Sequence, residues 1–596
     1  MHNKPTSIIL GLSFYYHDSA AALIVDGKVV AATQEERFTR IKHDKAFPIH
    51  SAEFCLVSQG LSIGDVDTVA FYDKPIVKFE RLLQSYIRTW PKGLRSFLLG
   101  MESALTKNLW VERPIRKTLG FLGEILYTEH HIAHAASSYY CSGFSDATVV
   151  TMDGVGEWDT TTVGSGRGST LALTEHIEFP HSLGLLYSAL TYYLGFKVNS
   201  AEYKVMGLAP YGDPKRFEKE MRKLIDIKND GSFKLTMRYF AYEYGLVMTN
   251  KAFDRLFGAP PRHPDVLLTQ REKDIAASLQ MITEEVVLKI AKHAKRIHPS
   301  NNLCLSGGVA LNCVANGLIL KKGLFKNIYI QPAAGDAGGA LGAGLYVYYS
   351  ALNHPLQHDV MPNAYLGTKY SESDIRDFLT KTVPEMYHGL MLSFQEFPDD
   401  ISLAHHSAGL ITGTNVIGLF EGRMEFGPRA LGNRSIIADA RVKENWQKVN
   451  LKIKFRESFR PFAPSVLWER AKDYFDLSVP SPYMLLVAPV LTDTIPAVTH
   501  VDGSARVQTV TERENPLYYK ILRAFDERTG CAVIINTSFN VRGEPIVESP
   551  QDAFHCFVNT EMDYLVLGRF VISKKDNPAL SSFARKDSYL KQFTLD

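Results

Sequence analysis

The sequence predicts an α/β protein of two domains, the first built on a duplicated unit. Three observations predict it. Ile8–Ser13 and Ser19–Val25 read as strands, and an Asp26-Gly27 hairpin turn leads into a third, Lys28–Thr33. The arrangement returns as Ala147–Asp153, Thr160–Gly164, a Gly166-Arg167-Gly168 turn and Ser169–Thr174. Helical sequence follows each three-strand set, so the pattern is a repeated meander plus helix. The length of 596 residues then leaves room for a second domain.

Between the two units, Val77–Leu119 is rich in Leu, Lys and Arg and reads as a helical insertion. Arg271–Arg296 predicts the clearest helix. Ile275, Leu279, Ile282, Val286 and Ile290 recur at three- and four-residue steps and mark one buried face. A strand (Leu303–Ser306), a glycine turn, a helix to about Leu320, a strand (Asn327–Gln331) and a second glycine turn into Gly338–Tyr348 follow. The first domain is placed at 1–352. Pro, His and Asn break the pattern from Asn353 to Asn363, and 353–395 is read as the linker region. The second domain, 396–572, has strands at Val416–Phe420, Ser435–Ala438, Met484–Pro489, Cys531–Ile535 and Tyr564–Leu567. Its helix Pro516–Arg528 has Asn515 as N-cap, Pro516 at its first position and Gly530 past its end. The tail 573–596 is polar and reads as mobile.

Composition narrows the function. Hydrophobic residues make up 45% and charged residues 22%, as in a globular protein. Lys and Arg total 66 against 64 Asp and Glu, a net charge of +2, which argues against nucleic acid as a partner. The N-terminal Met1–Ser7 is polar, and no apolar run reaches the ~18 residues of a membrane span. A cytoplasmic protein without a membrane partner is expected. Six scattered cysteines form no CxxC pair and read as buried hydrophobes.

Four constellations carry chemistry. The first is His130-His131-Ile132-Ala133-His134. A helix starting near Thr128 puts His130 and His134 at i and i+4 on one face, within reach of one ion; His131 points elsewhere and reads as structural. Carboxylates stand at strand ends, Asp153 and Asp336, where ligand groups gather in α/β sheets. Two His plus carboxylates suit Fe²⁺, Mn²⁺ or Zn²⁺. The second is a set of glycine turns after strands: Asp153–Gly156, Ser306–Asn312 with Gly307, Gly308 and Asn312, and Gly335–Gly342. Glycine admits close backbone approach, and exposed N–H groups favour phosphate, so a nucleotide is the reading preferred over plain packing. None fits GxxxxGK[ST] or GxGxxG.

The third is Arg423–Arg460, with ten basic residues against Glu425, Asp439, Glu444 and Glu457. Arg429 follows a Gly427-Pro428 turn and Arg460 precedes Pro461, so both look rigidly presented to an anion. Asn536-Thr537-Ser538-Phe539-Asn540 adds polar donors at the end of a buried strand. The domain reads as a polyanion pocket for a small molecule. The fourth is His17-Asp18 between the first two strands, with Lys42 downstream. His17 fits a general base for an alcohol. Asp18 either orients the ring or caps a turn, and the turn is the preferred reading.

Taken together, Tyr16–Ala21, His130–Ala135, Phe179–Gly184, Lys204–Gly212, Ser306–Asn312, Gly422–Ser435 and Asn536–Pro545 resemble the O-carbamoyltransferases, in the same order from about residue 8 to 572. That family modifies nodulation factors, cephamycins, aminoglycosides, ansamycins and saxitoxin-like alkaloids. The resemblance implies an N-terminal domain of the actin/Hsp70-like fold, similar to the tRNA threonylcarbamoyl-transferase domain. It implies a C-terminal YrdC-like α/β domain that forms carbamoyl-adenylate from carbamoyl phosphate and ATP. The carbamoyl group then passes to a hydroxyl of a small-molecule acceptor. By the same resemblance, Fe²⁺ ligands fall on His130, His134, Asp153 and Asp336. Groups handling carbamoyl phosphate and ATP fall on Arg429, Lys454, Arg460, Arg506 and Arg542, and the acid–base site on His17, Asp18 and Lys42. Two other readings compete. A tRNA-directed threonylcarbamoyl enzyme calls for a basic RNA face, which +2 does not suggest. A non-catalytic actin-like ATP-binding module leaves the basic second domain without purpose.

Overall fold

The computed structural model describes residues 7–457 and 459–593. Two compact units divide the chain. One comprises residues up to Glu35 and His43–Pro362; the other comprises Glu36–Lys42 and the chain from Asn363 onward.

The first unit carries the duplication. Its first sheet contains β1 (Ile8–Ser13), β2 (Ala20–Val25), β3 (Lys28–Gln34), β4 (Thr68–Phe71) and β5 (Glu124–Tyr127), in the order β3-β2-β1-β4-β5. Its second contains β6 (Asp146–Met152), β7 (Asp159–Arg167) and β8 (Thr170–Glu178). A short ribbon, β9 (Ile225–Ile227) and β10 (Phe233–Leu235), intervenes before β11 (Asn302–Ser306) and β12 (Asn327–Ile330), and the order is β12-β11-β6-β7-β8. Both sheets are an antiparallel meander extended by two parallel strands. The first parallel strand pairs with the meander's first strand, as β4 does with β1 and β11 with β6. The central strands are apolar on both faces because helices cover them.

Two helices cross between the sheets. One, His130–Tyr139, follows β5; the other, Ala337–Tyr346, follows β12. They pack directly on each other, and the second also packs on β1 and β2. Glycine allows this: a Cβ on Gly342 would lie 1.8 Å from the Ala133 carbonyl oxygen. The long helix runs from Gln270 to Ile297 and buries Ile275, Leu279, Ile282, Val286 and Ile290; Thr269 and Glu272 form a capping box at its start. The insertion forms helices Pro75–Thr89, Leu94–Ser103 and Glu112–Leu119.

The second unit is a nine-stranded mixed sheet. Its strands are β13 (Phe394–Glu396), β14 (Ile417–Phe420), β15 (Arg434–Asp439), β16 (Ala463–Leu467), β17 (Leu486–Pro489), β18 (Ser504–Val510), β19 (Val533–Ser538), β20 (Tyr564–Leu567) and β21 (Phe570–Ser573). The order is β13-β21-β20-β14-β15-β19-β16-β18-β17. Helices Asp400–Thr412 and Pro516–Thr529 pack on each other over β15 and β16. Asn515 caps the second by accepting from the Tyr518 amide, and Gly530 ends it in the left-handed region.

Several expectations need correction. The histidine helix starts at His130, not near Thr128. The second meander turns at Gly168-Ser169, because β7 runs on through Arg167. The region 353–395 is not plain linker: from Asn363 it belongs to the second unit and contains a capped helix, Glu372–Asp377. The tail is packed rather than loose, since Tyr589 is buried and its hydroxyl donates to Glu544 Oε1 at 2.8 Å. Residues 1–6 and 594–596, part of the termini read above, lie outside the described residues. All six cysteines are buried and none forms a disulfide among the described residues. No described helix is long and apolar enough to cross a membrane.

Candidate active site

The duplicated topology brings four short segments together. The turns after the first strand of each meander carry His17 and Asp153. The helices after the last parallel strands begin at His130 and just past Asp336. Because the crossing helices contact each other, their N-terminal ends and the two turns meet at one place.

There His130, His134, Asp153 and Asp336, all buried, each present an atom within 4.8 Å of the others. His130 Nε2 lies 3.1 Å from His134 Nε2 and 3.2 Å from Asp153 Oδ2. Asp336 Oδ1 is 3.8 Å from His130 Nε2 and 3.7 Å from His134 Nε2. Ligands about 2.0–2.2 Å from a shared ion stand roughly 3–3.5 Å apart. The residues therefore fit one divalent ion. The polar bookkeeping agrees, for neither oxygen of buried Asp336 receives a hydrogen bond among the described residues, a costly state for a carboxylate without a cation. Two imidazole nitrogens turned toward each other suit a shared ion better than mutual hydrogen bonding. Burial holds His130 well below its usual pKa and lowers His134, so both rings are neutral and ready to ligate. Burial raises Asp153, but the His130 hydrogen bond and the neighbouring imidazoles outweigh it and hold it well below the carboxylate range. Burial, reinforced by Asp153 and opposed by His17, raises Asp336 to about 7. His131 stands apart: Nδ1 meets Thr151 Oγ1 at 2.5 Å.

His17 reaches this group, with Nε2 3.7 Å from Asp336 Oδ2. Its Nδ1 is 3.0 Å from Asp18 Oδ2. Asp18 also meets His43 Nδ1 at 2.7 Å, and His43 Nε2 meets Ser200 Oγ at 3.1 Å. Asp18 thus orients the His17 ring, against the expectation of a simple turn cap. Partial burial lowers the imidazole, but Asp336 and the Asp18 hydrogen bond outweigh it and raise its pKa to about 10. Lys42 belongs to the segment Glu36–Lys42 of the second unit.

The glycine turns have structural duties beside this group. A Cβ on Gly307 would meet the Met152 carbonyl oxygen at 2.3 Å, and the Gly308 amide donates to Asp153 Oδ1 at 2.7 Å. These two glycines let the turn fold over the end of β6 and aim the aspartate. A side chain on Gly335 would meet nothing within 4 Å, leaving space beside Asp336. Asn312 is engaged by the scaffold: it caps Cys313–Lys321 and exchanges hydrogen bonds with Gln280.

In the second unit Asn536 and Ser538 share one face of β19. Asn536 Nδ2 donates to Gln508 Oε1 at 2.8 Å, and Gln508 shares a face of β18 with Arg506. Gln508 Nε2 also donates to the Leu431 carbonyl, which brings the turn carrying Arg429 to this face. Lys454 is 3% exposed, and its ammonium donates to Ser538 O at 2.7 Å, to Asn540 O at 2.8 Å and to both side chains. Burial, with Arg456 and Arg460 nearby, pushes it well below its ordinary pKa. Arg460 and Arg542 flank one carboxylate, Glu457, at 3.5 and 3.4 Å. Arg434 and Arg441 of the basic stretch are scaffold. Arg434 is fully buried on backbone carbonyls, and Arg441 pairs with Asp439 at 2.7 Å.

Family profiles described as carbamoyltransferase N-terminus and carbamoyltransferase C-terminus match residues 8–345 and 408–574. The chain belongs to the carbamoyltransferase family. An uncharacterized protein of Synechocystis sp. is 50% identical over 622 residues, covering 99% of this chain and all of that one. The nodulation protein NolNO of Sinorhizobium fredii is 37% identical, covering 94% of this chain and 79% of that protein. The 3'-hydroxymethylcephem-O-carbamoyltransferase of Amycolatopsis lactamdurans is 34% identical over 47% of this chain and 50% of its own length. The protein is an enzyme of the carbamoyltransferase type.

Two groups beside His130 carry no sequence signal of their own. Tyr72, at the end of β4, packs 5.3 Å from the His130 ring, in space that Gly339 leaves free. Glu157 touches the start of the histidine helix. Glu157 lies four residues past Asp153, in a turn whose glycines drew attention to nucleotide binding instead.

Proposed function

We propose that this carbamoyltransferase is ATP-dependent and transfers a carbamoyl group to a hydroxyl of a small-molecule acceptor. The observation that carries the reading is the buried group of His130, His134, Asp153 and Asp336, with His17 beside it, in a chain of this family. The second unit would form carbamoyl-adenylate. Carbamoyl phosphate is cleaved by water to carbamate and phosphate. A carbamate oxygen then attacks the α-phosphorus of ATP and pyrophosphate leaves. Arg429, Lys454, Arg460, Arg506 and Arg542 offset the negative charge of the two substrates, while Asn536 and Ser538 offer polar contacts on the same sheet face.

The first unit would complete the transfer. The acceptor oxygen attacks the carbamoyl carbon, AMP leaves, and the acceptor's proton passes to His17 Nε2. Asp18 holds the ring through Nδ1. His130, His134, Asp153 and Asp336 would hold a divalent ion, Fe²⁺ in our assignment, which would supply Lewis acidity toward phosphate and carbonyl oxygens. With a cation on these ligands the charge of Asp336 would be offset, so that His17 would lose one cause of its raised pKa and could serve as a neutral base.

AMP release from ATP tests the reading. It is expected to require carbamoyl phosphate and to accompany a mass gain of one carbamoyl group on a hydroxylated acceptor from a natural-product panel. AMP release dependent on threonine and bicarbonate instead would assign the chain to threonylcarbamoyl chemistry.

A further inference from the structure

The His130 ring lacks the support that usually fixes a metal-bound histidine. Such a ring normally donates its second N–H to a carboxylate or carbonyl, and this sets its orientation. Here the Nδ1 atoms of His130 and His134 are buried, and neither has a hydrogen-bond partner among the described residues. His130 must be aimed in another way.

The turn 153–158 grips it from both ends. Asp153 meets the ring at Nε2. Glu157 meets the backbone: Oε2 and Oε1 accept from the His130 amide at 3.1 and 3.2 Å. That amide is one of the N–H groups that a helix start leaves without an internal partner. Glu129, at the N-cap position, caps no helix amide with its side chain among the described residues, so Glu157 does the capping from across the fold. The same Oε1 accepts from the Lys74 amide at 2.7 Å, where the insertion's first helix begins. Gly156 makes this possible, because a Cβ there would lie 2.9 Å from the His130 Cβ. Glu157 is 8% exposed, so its carboxylate is committed to these contacts.

We propose that Glu157 is the positioning residue of the metal group. It fixes the first turn of the histidine helix, and so the direction of His130 Nε2, and it ties that turn to the root of the insertion. This inference rests on the metal assignment made above and on no step of the transfer reaction. Without Glu157 the helix start loses its cap, and the first ligand loses its aim.

Co²⁺ binding to the full chain tests this, read by its visible absorption and by competition titration. Glu157→Ala is expected to weaken Co²⁺ on the order of 10–100-fold and to change the absorption band, as for loss of an outer-shell partner. Glu157→Gln keeps an acceptor oxygen and is expected to restore affinity to within a few-fold. Should the alanine variant fail to fold, Glu157→Asp decides, since its shorter side chain withdraws the oxygens and should also weaken Co²⁺. A folded Ala or Asp variant with unchanged Co²⁺ affinity and spectrum would overturn the assignment, whatever its thermal stability. Absence of Co²⁺ binding to the unmodified protein would overturn the metal reading as well. Absence of carbamoyl transfer by the unmodified protein, with normal Co²⁺ binding, would count against the transfer reading alone.

Discussion

His130 Nε2 and His134 Nε2 face each other across 3.1 Å in the interior of the first unit. Helical spacing places the two rings on one face, and two turns and a second helix start close the group with Asp153, Asp336 and His17. What each of these groups is expected to do can be measured.

The first expectation concerns the ion. His130→Ala removes one of four ligands and is expected to raise the dissociation constant for Fe²⁺ by about 100-fold or more, at least what loss of an outer-shell partner costs. The fold should survive, because the helix is held by its packing on Ala337–Tyr346. Metal analysis together with a thermal melt checks both halves. Full occupancy in the mutant would remove His130 from the ligand set.

The second concerns pH. Burial and Asp153 raise Asp336 to about 7, so below that value a proton occupies the carboxylate. Proton and cation compete for the same oxygens. The affinity for a divalent ion should therefore fall as pH drops below about 7, approaching tenfold per unit for one proton, and level off above it. The histidines do not add to this slope near neutrality, since both are held below their usual range. Titrations with Co²⁺ between pH 5.5 and 8.5 read the slope, and a flat profile would contradict the assignment.

The third separates base from scaffold. His17→Asn is expected to keep carbamoyl-phosphate-dependent AMP release, now spent in hydrolysis, while carbamoylated product falls by at least ~10²-fold. Product measured by mass spectrometry beside AMP from the same reaction gives the ratio. Product within a few-fold of the unmodified enzyme would make His17 a structural residue.

The fourth tests the second unit. Arg460→Ala is expected to slow carbamoyl-adenylate formation roughly 30- to 1,000-fold, a guanidinium facing phosphate being worth ~2–4 kcal/mol. Transfer from supplied carbamoyl-adenylate should persist. Lys454→Ala should do the same at a greater cost in stability, because its buried ammonium binds Ser538 and Asn540. Failure of Arg460→Ala even with the preformed intermediate would refute the division of labour.

The fifth is structural. Gly342→Ala drives a methyl group to 1.8 Å from the Ala133 carbonyl and must push the crossing helices apart. Overpacking of this kind costs about 1–3 kcal/mol. Denaturant unfolding should show a lower midpoint, and the displaced helix starts should lose affinity for the ion with it.

Much of the scaffold was legible in the chain because local rules encode it. Both meanders, the long helix with its apolar stripe and the capped helix after Asn515 follow from spacing, turn residues and end signals acting over a few residues. β16 and β18 were not legible. They pair in parallel across 36 intervening residues, and β16 opens with Ala463-Pro464, which carries no strand signal. The polar tail misled for a related reason: scattered contacts anchor it, among them buried Leu580 and the bond from Tyr589 to Glu544, and no periodic pattern announces them.

The sequence by itself determined the duplicated unit, the i, i+4 histidine pair, the strand-end aspartates and, through its resemblance, the carbamoyltransferase family. Only the tertiary structure decided that Asp18 orients His17, that Gly308 aims Asp153, and that Glu157 caps the helix bearing His130. The physical reason is range. Helix and strand patterns are set by neighbours along the chain, and a histidine pair on one helix face is such a pattern. A carboxylate from one turn reaches an amide 27 positions away only after the sheets have paired and the glycine-lined helices have crossed.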